Sequence, residues 1–180
     1  MSTTEDVRRF SVVGTSCSGK THFAAALAAR LGLPHVPLDE LYWKPNWEER
    51  PVAEFRSAVG EAVSGERWVV DGNYSKARDL VWGRATDVIW LNYSFPRVFG
   101  RAVRRTVNRI ATQEELFGGN RETFRQSFLS PRSILHWVIA THGHNRRKYA
   151  SLRDSDEWRH LRFTEFRHPR EATEFLSNQR

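Results

Sequence analysis

Between residues 14 and 21 the chain reads Gly14-Thr15-Ser16-Cys17-Ser18-Gly19-Lys20-Thr21, and no other stretch restricts its fold as strongly. The pattern G-x-x-x-x-G-K-[ST] carries information only between a strand and a helix. Residues 10–13 (FSVV) are apolar and β-prone, and KTHFAAALAARLG follows with Phe23, Leu27 and Leu31 at four-residue spacing before Gly32. The reading is strand, glycine loop, helix. Glycines allow the backbone to curl into a nest of inward N–H groups, and the helix N-terminus adds positive potential. Lys20 then reaches the β- and γ-phosphates of a nucleotide, and the Thr21 hydroxyl is placed for Mg²⁺. The expected cradle comprises Gly14, Ser16, Cys17, Ser18, Gly19, Lys20, Thr21 and His22. Cys17 near a helix start is either a thiol whose ionised form is favoured or a small loop residue.

Further strands are expected at 35–38 (HVPL), 67–70 (RWVV), 87–92 (DVIWLN) and 161–166 (LRFTEF), with a helix over 52–63 carrying Phe55, Val59 and Val63 on one face. Strands alternating with helical patterns predict parallel βαβ units and an α/β fold. With 180 residues and 39% hydrophobic content the expectation is one domain, 1–180. The polar start MSTTEDVRRF lacks the apolar core of a secretory signal, no run is apolar enough to span a membrane, and the single cysteine allows no intrachain disulfide, so a cytoplasmic protein is expected.

The formal charge of +7 is concentrated in one region: over 97–170 basic residues outnumber acidic ones 16 to 7. Within it, 96–111, 120–129 and 131–150 read as helices, forming an arginine-rich insertion at about 96–150 between the fourth and fifth strands. Such a segment suits a phosphate-facing lid, or a solvated pair of helices. Phe99, Val103, Val107 and Ile110 are the expected apolar stripe of its first helix.

The blocks LGLPHVPLDELYW, WVVDGNYS and GGNRE, together with the glycine loop, make the chain resemble the adenylate kinase and shikimate kinase group of small P-loop kinases, and within it the bacterial adenylate-kinase-like topology-modulation proteins. The resemblance implies a five-stranded parallel sheet in the order 2-3-1-4-5 with a helical lid, and an ATP- and Mg²⁺-dependent phosphotransferase. By the same resemblance Asp71 of VVDGNY is similar to the Asp-Gly of adenylate kinases and would hold metal opposite Thr21; as an alternative it caps the next helix. Asp39 of PLDELYW stands where shikimate and gluconate kinases keep a carboxylate that orients or deprotonates the acceptor hydroxyl, an N-cap being the other reading. Arg101 and Arg105 match two arginines of the helix after strand four, one by the donor base and one at the transferring phosphate, while Arg146 and Arg147 resemble returning lid arginines that stabilise the transition state. His168 and Pro169 match an adenine-contacting turn, or open an ordinary helix.

The chain departs from the adenylate kinase pattern after Asp71-Gly72, where Asn73-Tyr74-Ser75 replaces a Phe-Pro-Arg run and arginine returns only at Arg78. Asn73, Tyr74 and Arg78, with Asp39, Tyr42 and Trp43, are therefore the expected acceptor-binding set, suited to a phosphorylated or a hydroxylated metabolite. Trp47 joins the aromatic residues there, as a stacking or a packing side chain. Two other functions compete: a nucleic-acid-associated NTPase whose arginines grip a phosphate backbone while Phe124, Phe128 or Trp137 stacks on bases, and a nucleotide-binding regulator without transfer. The expected partners are ATP and a phosphoryl acceptor, nucleic acid in the second reading, and no membrane, with the chain a monomer or homodimer.

Overall fold

The structure, a computed structural model, describes residues 7–112 and 133–179. The helix expected at 120–129, with Phe124 and Phe128, lies outside them. The central strands are β1 (Arg8–Gly14), β2 (His35–Pro37), β5 (Arg67–Asp71), β6 (Asp87–Leu91) and β7 (Arg162–Phe166). They form one parallel sheet in the order β2-β5-β1-β6-β7, the expected 2-3-1-4-5 once the short antiparallel pair β3 (Trp43–Lys44) and β4 (Glu48–Glu49) is set aside.

The sheet is covered on both faces, which is why its inner strands read as unbroken apolar runs rather than alternating ones. Successive side chains leave a strand on opposite sides. Val88 and Trp90 of β6 thus enter a cluster with Phe55, Val59, Trp68 and Tyr149, while Ile89 and Leu91 enter another with Phe23, Leu27 and Val98. Truncating a side chain such as Ile89 or Leu27, both almost fully buried, to alanine would cost about 2–5 kcal/mol.

Helix α1 (Lys20–Leu31) follows β1, and α2 (Leu38–Tyr42) follows β2. The second strand therefore ends at Pro37, one residue earlier than the sequence suggests, and Asp39 sits in the first turn of a helix rather than at a strand end. Pro37 is the N-cap of α2 and makes no side-chain capping bond. Helices α3 (Val52–Ala62) and α4 (Arg78–Trp82) flank β5, and α5 (Phe95–Thr112) follows β6.

The apolar stripe expected on α5 is out of phase. Val98, Ala102 and Thr106 are the buried positions, and Val107 is 52% exposed. Of the expected stripe Phe99 packs against the core from its edge, Val103 and Ile110 are half-buried and Val107 alone faces outward, because alanine and threonine fill the tight centre of the seam and larger residues border it. After residue 132, α6 (Ile134–Arg153) packs back on α5 and the sheet, and α7 (Pro169–Ser177) closes the chain. Among the described residues no helix is long and apolar enough to cross a membrane.

Candidate functional site

The chain leaves β1, β2 and β5 at the same end of the sheet, the C-terminal edge at which open parallel sheets gather ligands. Gly14 has φ of 151°, and a Cβ there would come within 2.7 Å of the Leu91 carbonyl and 2.9 Å of the Ser18 hydroxyl. The loop can pass under β6 only without a side chain. It then tightens through a hydrogen bond from Ser18 N–H to Thr15 O of 3.0 Å, with Cys17 at the positive φ of 65°. A non-glycine residue in that region is strained unless its surroundings hold it, and such strain collects at binding loops.

Helix α1 begins with Gly19 as its N-cap, no side-chain cap and no acidic residue in its first turn. Its first-turn N–H groups and the positive end of its dipole therefore face the loop with no acidic side chain from the helix's own first turn. Lys20, half-buried at that point, forms no ion pair with any described residue. Beside it the Ser18 hydroxyl is fully buried and has no hydrogen-bond partner among the described residues.

Thr21 donates from Oγ1 to Asp71 Oδ2 at 2.7 Å, and Asp71 Oδ1 lies 2.8 Å from His35 Nε2. Asp71 is buried at the end of β5, so these two contacts fix its carboxylate. Sequence pattern points to Thr21 and Asp71 but not to His35, which reaches its partner across the sheet from β2. Among the described residues no three His, Cys, Asp or Glu side chains converge on one point. A divalent ion here would take one or two protein oxygens and complete its shell with phosphate oxygens and water, the usual manner of Mg²⁺. The donor set fits that ion.

Arg101 of α5 lies over the Tyr93 ring at 5.2 Å and donates to Ser18 O at 2.7 Å, which brings its guanidinium to the loop. Arg105, one turn on, is half-buried, and its Nε has no hydrogen-bond partner among the described residues. Arg146 and Arg147 on α6 are exposed. The exposed His22 is in the first turn of α1. His168 caps α7: its ring accepts from Arg170 N–H at 3.3 Å while Glu171 accepts from His168 N–H at 3.2 Å. Pro169 is the first residue of that helix. The imidazole is thus engaged in a capping box, the helix-opening alternative for this turn.

Part of the arginine excess is consumed within the fold. Arg153 and Arg167 bond to Glu165, Arg162 to Asp87 and Arg159 to Asp156, along or near the β7 edge. The cations near the loop and its neighbouring recess, Lys20, Arg78, Arg101 and Lys148, have no acidic partner among the described residues.

The second half of the site is an aromatic and carboxylate cluster. Asp39 accepts from the Tyr74 hydroxyl at 2.5 Å. Tyr42 donates to Glu49 and receives a hydrogen bond from Lys76 at 3.1 Å. The Tyr74 ring packs in tilted contact with Tyr42 at 4.5 Å and with Phe55 at 5.2 Å, and Trp43 meets Tyr42 and Trp47 edge-on. Burial, then the Asp39 carboxylate, drives the Tyr74 phenol far above its ordinary pKa; burial and Glu49 raise Tyr42 as well. Both therefore remain protonated donors at neutral pH.

Next to this cluster is a recess lined by Leu38, Asn73, Tyr74, Arg78, Trp82 and Tyr149. Arg78 lies 5.5 Å over the Trp82 ring, and Lys148 lies 5.7 Å over that of Tyr149. Burial and the neighbouring Arg78 lower the Lys148 pKa. Asn73 is not free for a ligand in the way its sequence position suggested, because its amide is bonded to Gly14 and Tyr149.

No protein-family model matches the chain, and no curated protein matches its sequence. Solved structures do. The shikimate kinase of Bacteroides thetaiotaomicron superposes with a TM-score of 0.57 at 13% identity, covering 94% of this chain and 94% of that one. The shikimate kinase of Acinetobacter baumannii in complex with shikimate gives 0.55 at 17% identity, with 96% and 93% covered. A gluconokinase from Sinorhizobium meliloti 1021 gives 0.51 at 18% identity, with 95% and 92% covered. At such identities the likeness is one of architecture, and together with the strand order it establishes that this chain has the P-loop kinase fold.

Proposed function

We propose that the protein is an ATP- and Mg²⁺-dependent kinase of a small hydroxylated or phosphorylated metabolite. The observation that carries the reading is the glycine loop ending at an uncapped, acid-free helix start beside Lys20, which has no acidic partner among the described residues, and facing a Thr21–Asp71 pair. An environment of directed N–H groups and unneutralised cations is unstable toward an anion and little else.

In this reading the loop amides from Ser16, Cys17 and Gly19 and the Lys20 ammonium hold the β- and γ-phosphates; Gly14 and Ser18, whose N–H groups are bonded to Asn73 Oδ1 and Thr15 O, shape the cradle, and His22 stands beside it at the helix start. Thr21 and Asp71 would hold Mg²⁺, which would offset the negative charge of the phosphates. Arg101 and Arg105 serve the donor, and Arg146 and Arg147 add positive charge at the transferring group. The His168–Pro169 turn borders the base. On the acceptor side Asp39 accepts the proton of the attacking hydroxyl, and the hydrogen bond from Tyr74 holds one carboxylate oxygen so that the other faces the acceptor. Tyr42, Trp43 and Asn73 shape that end, and Arg78 with Lys148 favours an acceptor bearing negative charge.

The test is transfer of labelled γ-phosphate from ATP to a panel of nucleoside monophosphates, sugars, sugar phosphates and hydroxy acids, with and without Mg²⁺. The reading requires at least one Mg²⁺-dependent labelled product that disappears in Lys20→Ala. A flat panel with intact nucleotide binding would favour a regulator that does not transfer.

A further inference from the structure

The side-chain amide of Asn73 takes the place of a strand that has ended. β1 pairs with β5 as far as Val12 opposite Asp71, and Gly72 N–H still reaches Val12 O at 3.3 Å. Gly14, two residues on, directs its N–H and C=O to the same side, where β5 no longer runs. Both groups are buried and need partners. Asn73 supplies the two: its Oδ1 accepts from Gly14 N–H at 3.2 Å, and its Nδ2 donates to Gly14 O at 2.5 Å.

The same Oδ1 accepts from the Tyr149 hydroxyl at 2.9 Å. Tyr149 is 1% exposed, and its burial pushes the phenol pKa up, so the group stays a donor. With two donors on Oδ1 the amide has one orientation that satisfies everything. Helix α6 reaches the far end of the loop by a separate route: His142 Nε2 lies 3.0 Å from Tyr93 O, the Tyr93 ring lies under Arg101, and Arg101 donates to Ser18 O. One helix thus holds the glycine loop at its first residue and near its last.

We propose that Asn73 and Tyr149 are positioning residues of the phosphate loop, a relay through which α6 sets the direction of the loop amides although neither side chain grips the nucleotide. The proposal rests on nucleotide binding at that loop. Asn73 and Tyr149 also line the recess with Arg78 and Trp82, so an acceptor seated there would press on the same amide, and coupling between the two ligands is necessarily reciprocal.

The relay is tested with ADP alone, by calorimetry and by amide hydrogen exchange on the full chain, with Tm recorded for each protein. Tyr149→Phe keeps the packed ring and removes one hydroxyl; ADP affinity is expected to fall about fivefold and Gly14 N–H to exchange faster. Asn73→Asp keeps the acceptor and removes the donor to Gly14 O, with an expected loss of about tenfold or more. A packing role alone would lower Tm and leave the ADP affinity of the folded protein unchanged. Wild-type affinity and unchanged Gly14 exchange in both variants would overturn the relay while leaving the nucleotide reading intact. No ADP binding by the wild-type protein would overturn both.

Discussion

The two ends of the site are built from different materials. In the proposed reading the donor end is made mostly of backbone N–H groups, whose arrangement follows from one continuous loop, Gly14 to Thr21, with Asp71 opposite. At the acceptor end they are side chains from separate elements: Asp39 and Tyr42 on α2, Tyr74 and Lys76 after β5, Arg78 on α4 and Lys148 on α6. A triphosphate presents nearly the same shape in every nucleotide, so main-chain geometry can be specialised for it. An acceptor is read by side chains, which change without disturbing the fold.

The contrast gives experiments of decreasing size. Lys20→Ala should reduce transfer by about 10³-fold or more with the fold retained, measured by labelled product and circular dichroism, because the phosphoryl charge loses its closest cation. Asp39→Asn should lower turnover by about 10²–10⁴-fold while ADP affinity stays at the wild-type value, since it removes the proton acceptor and touches no donor group. Should Asp39→Asn weaken ADP binding as strongly as Lys20→Ala, the two ends would not be separable. Tyr74→Phe sharpens the same division: about tenfold loss of turnover, with ADP affinity unaltered, because Asp39 loses the bond that orients it.

The smallest effect belongs to Lys148. Its pKa is depressed in the folded chain by burial and by Arg78, so the unfolded chain binds that proton more tightly. The charge penalises folding fully below the folded pKa, and the penalty is relieved as pH rises from there toward the ordinary lysine value of 10.5. Lys148→Met should accordingly raise Tm at pH 7, and the gain should shrink as the pH of the melt approaches that value.

The glycine loop and the alternation of strands and helices were legible because both are local or periodic, whereas the sheet order came only from the family resemblance. Thr21 was marked by the glycine-loop pattern, and Asp71 and Arg101 by the family resemblance. His35, Tyr149 and His142 were not, since each acts on a partner 36, 76 or 49 residues away and nothing near it in sequence marks the contact. Asp39 was expected just after the second strand as an acceptor carboxylate or an N-cap; the structure puts it in the first turn of α2, because Pro37 ends the strand and is itself the N-cap of that helix. Phase on α5 failed for a related reason. Small residues, Ala102 and Thr106, are the buried ones there, while Phe99 and Val103 beside them are half-buried and Val107 is exposed.

Calorimetric titration of ADP into the wild-type protein and into Lys20→Ala, each with and without Mg²⁺, addresses the central claim most directly. A saturable one-to-one isotherm that weakens at least tenfold on loss of the lysine, while Asp39→Asn leaves it unchanged, is the expected result. An absence of heat with the wild-type chain, or equal binding by Lys20→Ala, would contradict it.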